Sequence, residues 1–121
     1  MVRAAVAHRG QGGLSLDATF AALADGTRRG VIDMLRRGPR RASDLADGLG
    51  ASKPAMSRHL RVLRDSGLVE TSSEADGRER IYRLRPAPFA QLREWLEEVE
   101  AFWTVQLAAF KDHVERTRGK R

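Results

Sequence analysis

Three observations predict a mainly α-helical chain with one small β-hairpin. From Ser52 to Arg64, Met56, Leu60 and Leu63 recur at steps of four and three, the spacing that gathers apolar side chains on one helical face. Residues 41–50 read as a shorter helix closed by glycine, and residues 68–84 hold two β-prone runs flanking Asp76-Gly77. From about Pro88 to Thr117 apolar residues again recur every three or four positions. Helix, glycine turn, helix, hairpin and a long last helix is the order of a winged helix-turn-helix with a C-terminal dimerisation helix.

Taken in order, Met1 to Leu14 is glycine-containing and lacks helical periodicity, so a flexible tail is expected over residues 1–14 and a single domain over 15–118. Arg3, His8 and Arg9 of that tail are its only groups suited to brushing a phosphate backbone. Ser15 is placed to cap a short helix carrying Leu16, Phe20 and Leu23 on one side, ended by Asp25-Gly26. Thr27 would cap a second helix over Arg28 to Arg37, with Val31, Ile32 and Leu35 inward, before Gly38-Pro39 breaks it. Arg40 to Ala42 is expected as a short extended segment. Ser43 would then cap the first helix of the helix-turn-helix, with Asp44 in its first turn and Leu45 and Leu49 inward.

The stretch from Ser52 to Arg64 carries the chemistry. Ser52 is a good N-cap, and Pro54 falls in the first turn, where a missing N–H costs nothing. Opposite the apolar face lie Lys53, Ser57, Arg58, Arg61 and Arg64, cationic and rich in donors. A second helix of this kind enters the DNA major groove. Asp65-Ser66-Gly67 stops the helix, and the runs Leu68 to Thr71 and Arg80 to Leu84 form the hairpin. Arg78 and Arg80 near its tip are suited to a minor groove or to adjacent phosphates.

The charge distribution agrees. The chain has 121 residues and a net charge of +6, from 22 basic and 16 acidic side chains. Residues 28–85 hold 14 of the basic and 8 of the acidic groups, so the whole excess, 14 − 8 = 6, lies in the segment with the helix-turn-helix. An excess confined to one module is what a polyanion binder needs. There are no cysteines, which excludes disulfides and thiolate metal sites and is compatible with a reducing cytoplasm. No apolar run approaches the ~20 residues needed to span a bilayer, and no signal-peptide core is visible, so a soluble, cytoplasmic chain with no membrane partner is expected.

Pro86 and Pro88 punctuate the chain before the last element. Its stripe comprises Phe89, Leu92, Leu96, Val99, Trp103, Leu107, Phe110 and Val114, widened by Trp95 and Phe102. A helix of roughly 30 residues is about 45 Å long, against a radius of gyration of about 14 Å for a domain this size. That mismatch favours packing of part of the stripe, together with Phe20 and Leu23, against a second copy. An ordinary core or a ligand-pocket wall would use the same residues.

Phe20-Ala-Ala-Leu-Ala-Asp-Gly-Thr-Arg-Arg29, Asp44-Leu-Ala, Ser52 through Leu63, Gly67-Leu-Val and Arg80-Ile-Tyr-Arg-Leu84 together resemble the ArsR family of bacterial winged-helix repressors, over about residues 16–116. The resemblance implies a homodimer built on the first and last helices, bound to a roughly palindromic operator and repressing a nearby promoter. Its dimer interface would comprise Phe20, Leu23, Leu92, Leu96, Val99, Trp103, Leu107 and Phe110. With the helical face, the resemblance makes Lys53, Ser57 and Arg58 the candidates for base edges. Ser52 and the helix N-terminus would hold a phosphate, and Arg61, Arg78 and Arg80 would meet phosphates or a minor groove. His59 either touches DNA or packs at the core edge. For Arg64 a solvent-exposed or intraprotein role is expected. Pro54 departs from the polar residue common there in the family, which removes a direct readout.

The cysteine pair that family metal sensors often carry is replaced here by Arg41-Ala42-Ser43, and the last helix offers Asp112, His113 and Glu115 without a second suitably spaced histidine. The expectation is therefore a metal-independent branch with no metal and no cofactor, its small-molecule effector, if it has one, left open. No paired carboxylates, nucleophile–base grouping or phosphate-cradling glycine loop points to an enzyme. The competing reading is a winged-helix protein-interaction adaptor that works through its C-terminal aromatic helix.

Overall fold

The computed structural model describes residues 15–72 and 80–119. The expected tail, including Arg3, His8 and Arg9, the Asp76-Gly77 turn and Arg78 lie outside the described residues. Two compact units divide the chain, Met1–Phe89 and Ala90–Arg121.

In the first unit, α1 spans Leu16–Leu23, with the Ser15 hydroxyl accepting from the Ala18 amide at 3.2 Å. Its buried residues are Thr19 and Ala22; Leu23 packs partly on the core and Phe20 is exposed. Helix α2, Gly26–Leu35, starts earlier than the sequence reading placed it. Its N-cap is Asp25, whose Oδ1 accepts from the Arg28 amide at 3.0 Å, and Thr27 is already inside the helix. Both residues are able to cap, and the extended backbone at Asp25 decides between them.

Strand β1 is only Arg40–Arg41, yet it pairs with β3 (Ile81–Leu84), Arg40 opposite Tyr82 and Arg41 opposite Ile81. That pairing keeps Arg41 extended, so α3 (Ala42–Leu49) begins at once behind it and Arg41, not Ser43, holds the N-cap position. Asp44 closes the turn by accepting from the Arg41 amide at 3.3 Å. Gly50 ends α3 at φ 63°, a left-handed conformation that a side chain would strain.

Helix α4 runs Lys53–Asp65, its Ser52 hydroxyl accepting from the Ala55 amide at 3.2 Å. Met56, Leu60 and Leu63 are buried, as their spacing requires. Strand β2, Val69–Ser72, pairs with β3 from Val69 opposite Leu84 to Ser72 opposite Ile81, giving an antiparallel sheet in the order β1-β3-β2. Around the α4 face close Val31, Leu35, Leu45, Ala46, Leu68, Val69 and Tyr82. Helices α2 and α3 meet closely because each offers a glycine: a Cβ at Gly30 would sit 2.8 Å from Leu49 Cδ2, and one at Gly48 2.8 Å from Met34 Cε.

Helix α5 spans Pro86–Gly119, two residues earlier than expected. Pro86 and Pro88 lie inside its first turn, where amides lack partners anyway, so they open the helix instead of preceding it. Among the described residues the second unit, from Ala90, is this helix.

Leu63 is fully buried, so Leu63→Ala should cost ~2–5 kcal/mol in urea unfolding. A loss below about 1 kcal/mol would mean that the α4 face is not held as tightly as its burial indicates.

Candidate nucleic-acid interface

The outer side of α4 follows from its inner side. Once Met56, Leu60 and Leu63 are turned in, Lys53, Ser57, Arg58 and Arg61 are all exposed, with Arg64 at the helix end. None of the four cations has a carboxylate partner among the described residues. Unneutralised cations along one helix side raise the local potential and attract polyanions. Ser52 is exposed at the N-terminus with its hydroxyl engaged in capping, and Arg80 is exposed just before β3.

A shallow cleft of about 190 Å³ opens between α3 and α4. Buried Met56 and Ala46, with Ala42, form its apolar lining; Ser43, Lys53 and Ser57 add two hydroxyls and an ammonium group. Ser43 therefore belongs to this surface. Sequence reasoning had assigned it to a cap, and the signal that could have found it was the helix-turn-helix geometry, which brings the start of α3 beside that of α4.

His59 sits on α4 at the edge of the core. It is partly buried on the flank of α4, with Nδ1 3.4 Å from Arg28 NH1 and 3.9 Å from Asp25 Oδ1. The same Arg28 side chain donates from Nε to the Ala22 carbonyl at 2.7 Å and from NH2 to the Ala21 carbonyl at 3.2 Å. The Asp25 carboxyl is held below the usual carboxylate range. The Arg28 amide hydrogen bond is the main cause, partial desolvation works against it, and the charges of His59 and Arg28 add to it.

Along α5 most of the large apolar residues are exposed. Leu96, Trp103, Leu107 and Phe110 are 51%, 56%, 60% and 65% exposed, while Leu92 and Val99 are half-buried. Phe102 and Trp103 meet edge to face, with ring centroids 6.3 Å apart. Asp112, His113 and Glu115 are exposed, and among the described residues no group of three or more histidine or acidic side chains is gathered to hold a metal ion. Among the same residues no helix is long and apolar enough to cross a membrane.

A helix-turn-helix with an outward cationic row, a three-stranded wing sheet and a long terminal helix defines the winged helix-turn-helix transcription regulators. Residues 25–71 match the family model described as bacterial regulatory protein, arsR family. The HTH-type transcriptional regulator Rv2034 of Mycobacterium tuberculosis is 38% identical over 101 residues, covering 84% of this chain and 90% of the relative. An ArsR-like transcriptional regulator from Rhodococcus sp. RHA1 superposes with a TM-score of 0.70 at 39% identity, covering 83% of this chain and 90% of that one. The homodimeric winged helix-turn-helix DNA-binding domain Mb0332 of Mycobacterium bovis superposes at 0.57 with 28% identity, covering 71% and 78%. The chain belongs to the ArsR family of bacterial regulatory proteins. That membership does not favour the adaptor reading.

Because the Asp25 carboxyl titrates below its ordinary value of 3.8, its contribution to stability is complete above that value and is lost as pH falls through the lower folded value. Asp25→Asn keeps a capping oxygen without the charge. Thermal melts between pH 2.5 and 7 should therefore show a shallower acid limb for the variant below about pH 4. Parallel acid limbs would show that the charge on Asp25 plays no part.

Proposed function

We propose that this protein is a homodimeric transcription repressor that binds a roughly palindromic operator near a promoter, in the cytoplasm, and is not an enzyme. The observation that carries the reading is the exposed, unneutralised row of Lys53, Ser57, Arg58 and Arg61 beside the α3–α4 cleft. In the major groove Lys53, Ser57 and Arg58 read base edges, and each good bidentate pair contributes about 1–3 kcal/mol of discrimination. Ser52, the α4 N-terminus and the Ser43 hydroxyl of the cleft seat a phosphate. Arg61, Arg80 and Arg78 hold neighbouring phosphates or the minor groove.

The second copy packs against Phe20, Leu23, Leu92, Leu96, Val99, Trp103, Leu107 and Phe110. Support comes from the uncovered aromatic and aliphatic residues of α5, since contiguous apolar surface of this kind marks an interface, and from the homodimeric Mb0332 domain. Two copies place two α4 helices on half-sites about one helical turn apart, ~34–36 Å. Occupying such a site beside a promoter excludes polymerase. The inducing signal acts without the cysteine site of the family's metal sensors.

Duplexes selected from a random pool should outcompete scrambled sequence. Log affinity should fall linearly with log salt, at roughly −0.9 per neutralised phosphate. Lys53→Ala/Arg58→Ala should lower affinity for the selected duplex by at least about tenfold and narrow its preference over scrambled DNA. In sedimentation, Trp103→Glu/Leu107→Glu should yield monomers that no longer bind the palindrome. Equal affinity for selected and scrambled duplex, or a wild-type monomer, would overturn the proposal.

A further inference from the structure

We infer that Arg28 and His59 are a positioning pair that ties the recognition helix α4 to the end of α1, and that the tie holds only while the His59 ring is neutral. The inference rests on the DNA-binding reading and concerns how the reading helix is held, not which groups touch the duplex.

Three donors of one guanidinium are committed. Nε and NH2 hold the Ala22 and Ala21 carbonyls at 2.7 and 3.2 Å, at the C-terminal end of α1. NH1 reaches His59 Nδ1 at 3.4 Å, 31 residues away in sequence. Arginine has donors only, so in this contact Nδ1 must accept. It then carries no proton, and the neutral ring is the tautomer with its hydrogen on Nε2. The contact therefore goes with the neutral Nε2–H tautomer.

Protonation removes the acceptor. Both ring nitrogens become donors, and two cations face each other across 3.4 Å. The nearest other partner is Asp25 Oδ1, 3.9 Å from Nδ1, an oxygen already accepting the Arg28 amide at 3.0 Å. A protonated ring thus exchanges the Arg28 guanidinium for the Asp25 carboxylate at the α2 N-cap, and α4 shifts away from its link through Arg28 to the α1 carbonyls. The charged groups facing the ring are Asp25 and Arg28 from α2. Helix α1 presents backbone carbonyls, and the ring's neighbours one turn away on α4, Ala55, Met56, Val62 and Leu63, do not titrate.

Sequence preference depends on the register of α4 in the groove, whereas phosphate attraction tolerates small shifts. Shifting α4 should therefore erode preference for the operator over scrambled DNA more than it erodes total affinity.

The test uses the full chain and a fluorescent duplex selected at pH 7.5, with anisotropy titrations against it and a scrambled duplex from pH 5.5 to 8 at constant ionic strength. Circular dichroism confirms folding at each pH. The wild-type preference ratio should fall on the order of tenfold between pH 8 and 5.5. His59→Asn, whose side-chain oxygen accepts without titrating, should keep the ratio at pH 7.5 and show a flat profile; His59→Leu should have a low ratio throughout. Independently of DNA, ring ¹⁵N shifts at pH 8 should show the Nε2–H tautomer for His59. A flat wild-type ratio, a His59→Asn profile that falls like wild type, or an Nδ1–H tautomer would each overturn the pair. Failure to enrich any duplex would instead sink the DNA-binding reading, with the tautomer still deciding whether the tie exists.

Discussion

The outward cationic side of α4 hangs on the burial of three side chains. Met56, Leu60 and Leu63 are removed from water against α2, α3 and the sheet, and each fully buried side chain of this size is worth about 1.5–3 kcal/mol. Apolar burial has no direction of its own, but helical geometry supplies one. With these three turned in, Lys53, Ser57, Arg58 and Arg61 have only the outside left. Burial sets which way the cationic row faces, and the Arg28–His59 contact acts on where α4 sits.

The close seat of α2 on α3 serves the same end. Neither Gly30 nor Gly48 could gain a Cβ without displacing Leu49 or Met34, so the two helices approach nearer than ordinary side chains permit. Leu45 and Ala46 are thereby pressed into the core. The α3–α4 cleft, with Ser43 and Ser57 at its edges, is a by-product of that packing.

Much of this is local pattern, and local pattern was readable. The α4 boundaries, its buried triad, the left-handed glycine after α3 and both hairpin strands follow from periodicity and turn chemistry within a few residues. Where the structure departs from local pattern, a distant partner decides in one case and fine local geometry in the others. Arg41 displaces Ser43 as the cap because β3, some forty residues downstream, holds it extended. Asp25 prevails over Thr27 through backbone conformation, not side-chain chemistry. Pro86 and Pro88 look like stops, yet in a first turn they are permitted residues. The contact between Arg28 and His59 joins two motifs that each made sense alone, and no spacing rule links them.

The two-residue strand β1 carries a mechanical meaning out of proportion to its length. Because it borders β3 on one side and runs straight into α3 on the other, the hairpin and the helix pair share a backbone weld. The position of β3 therefore sets that of the first turn of α3 through a single residue, Arg41, so sheet and helix pair are built as one body.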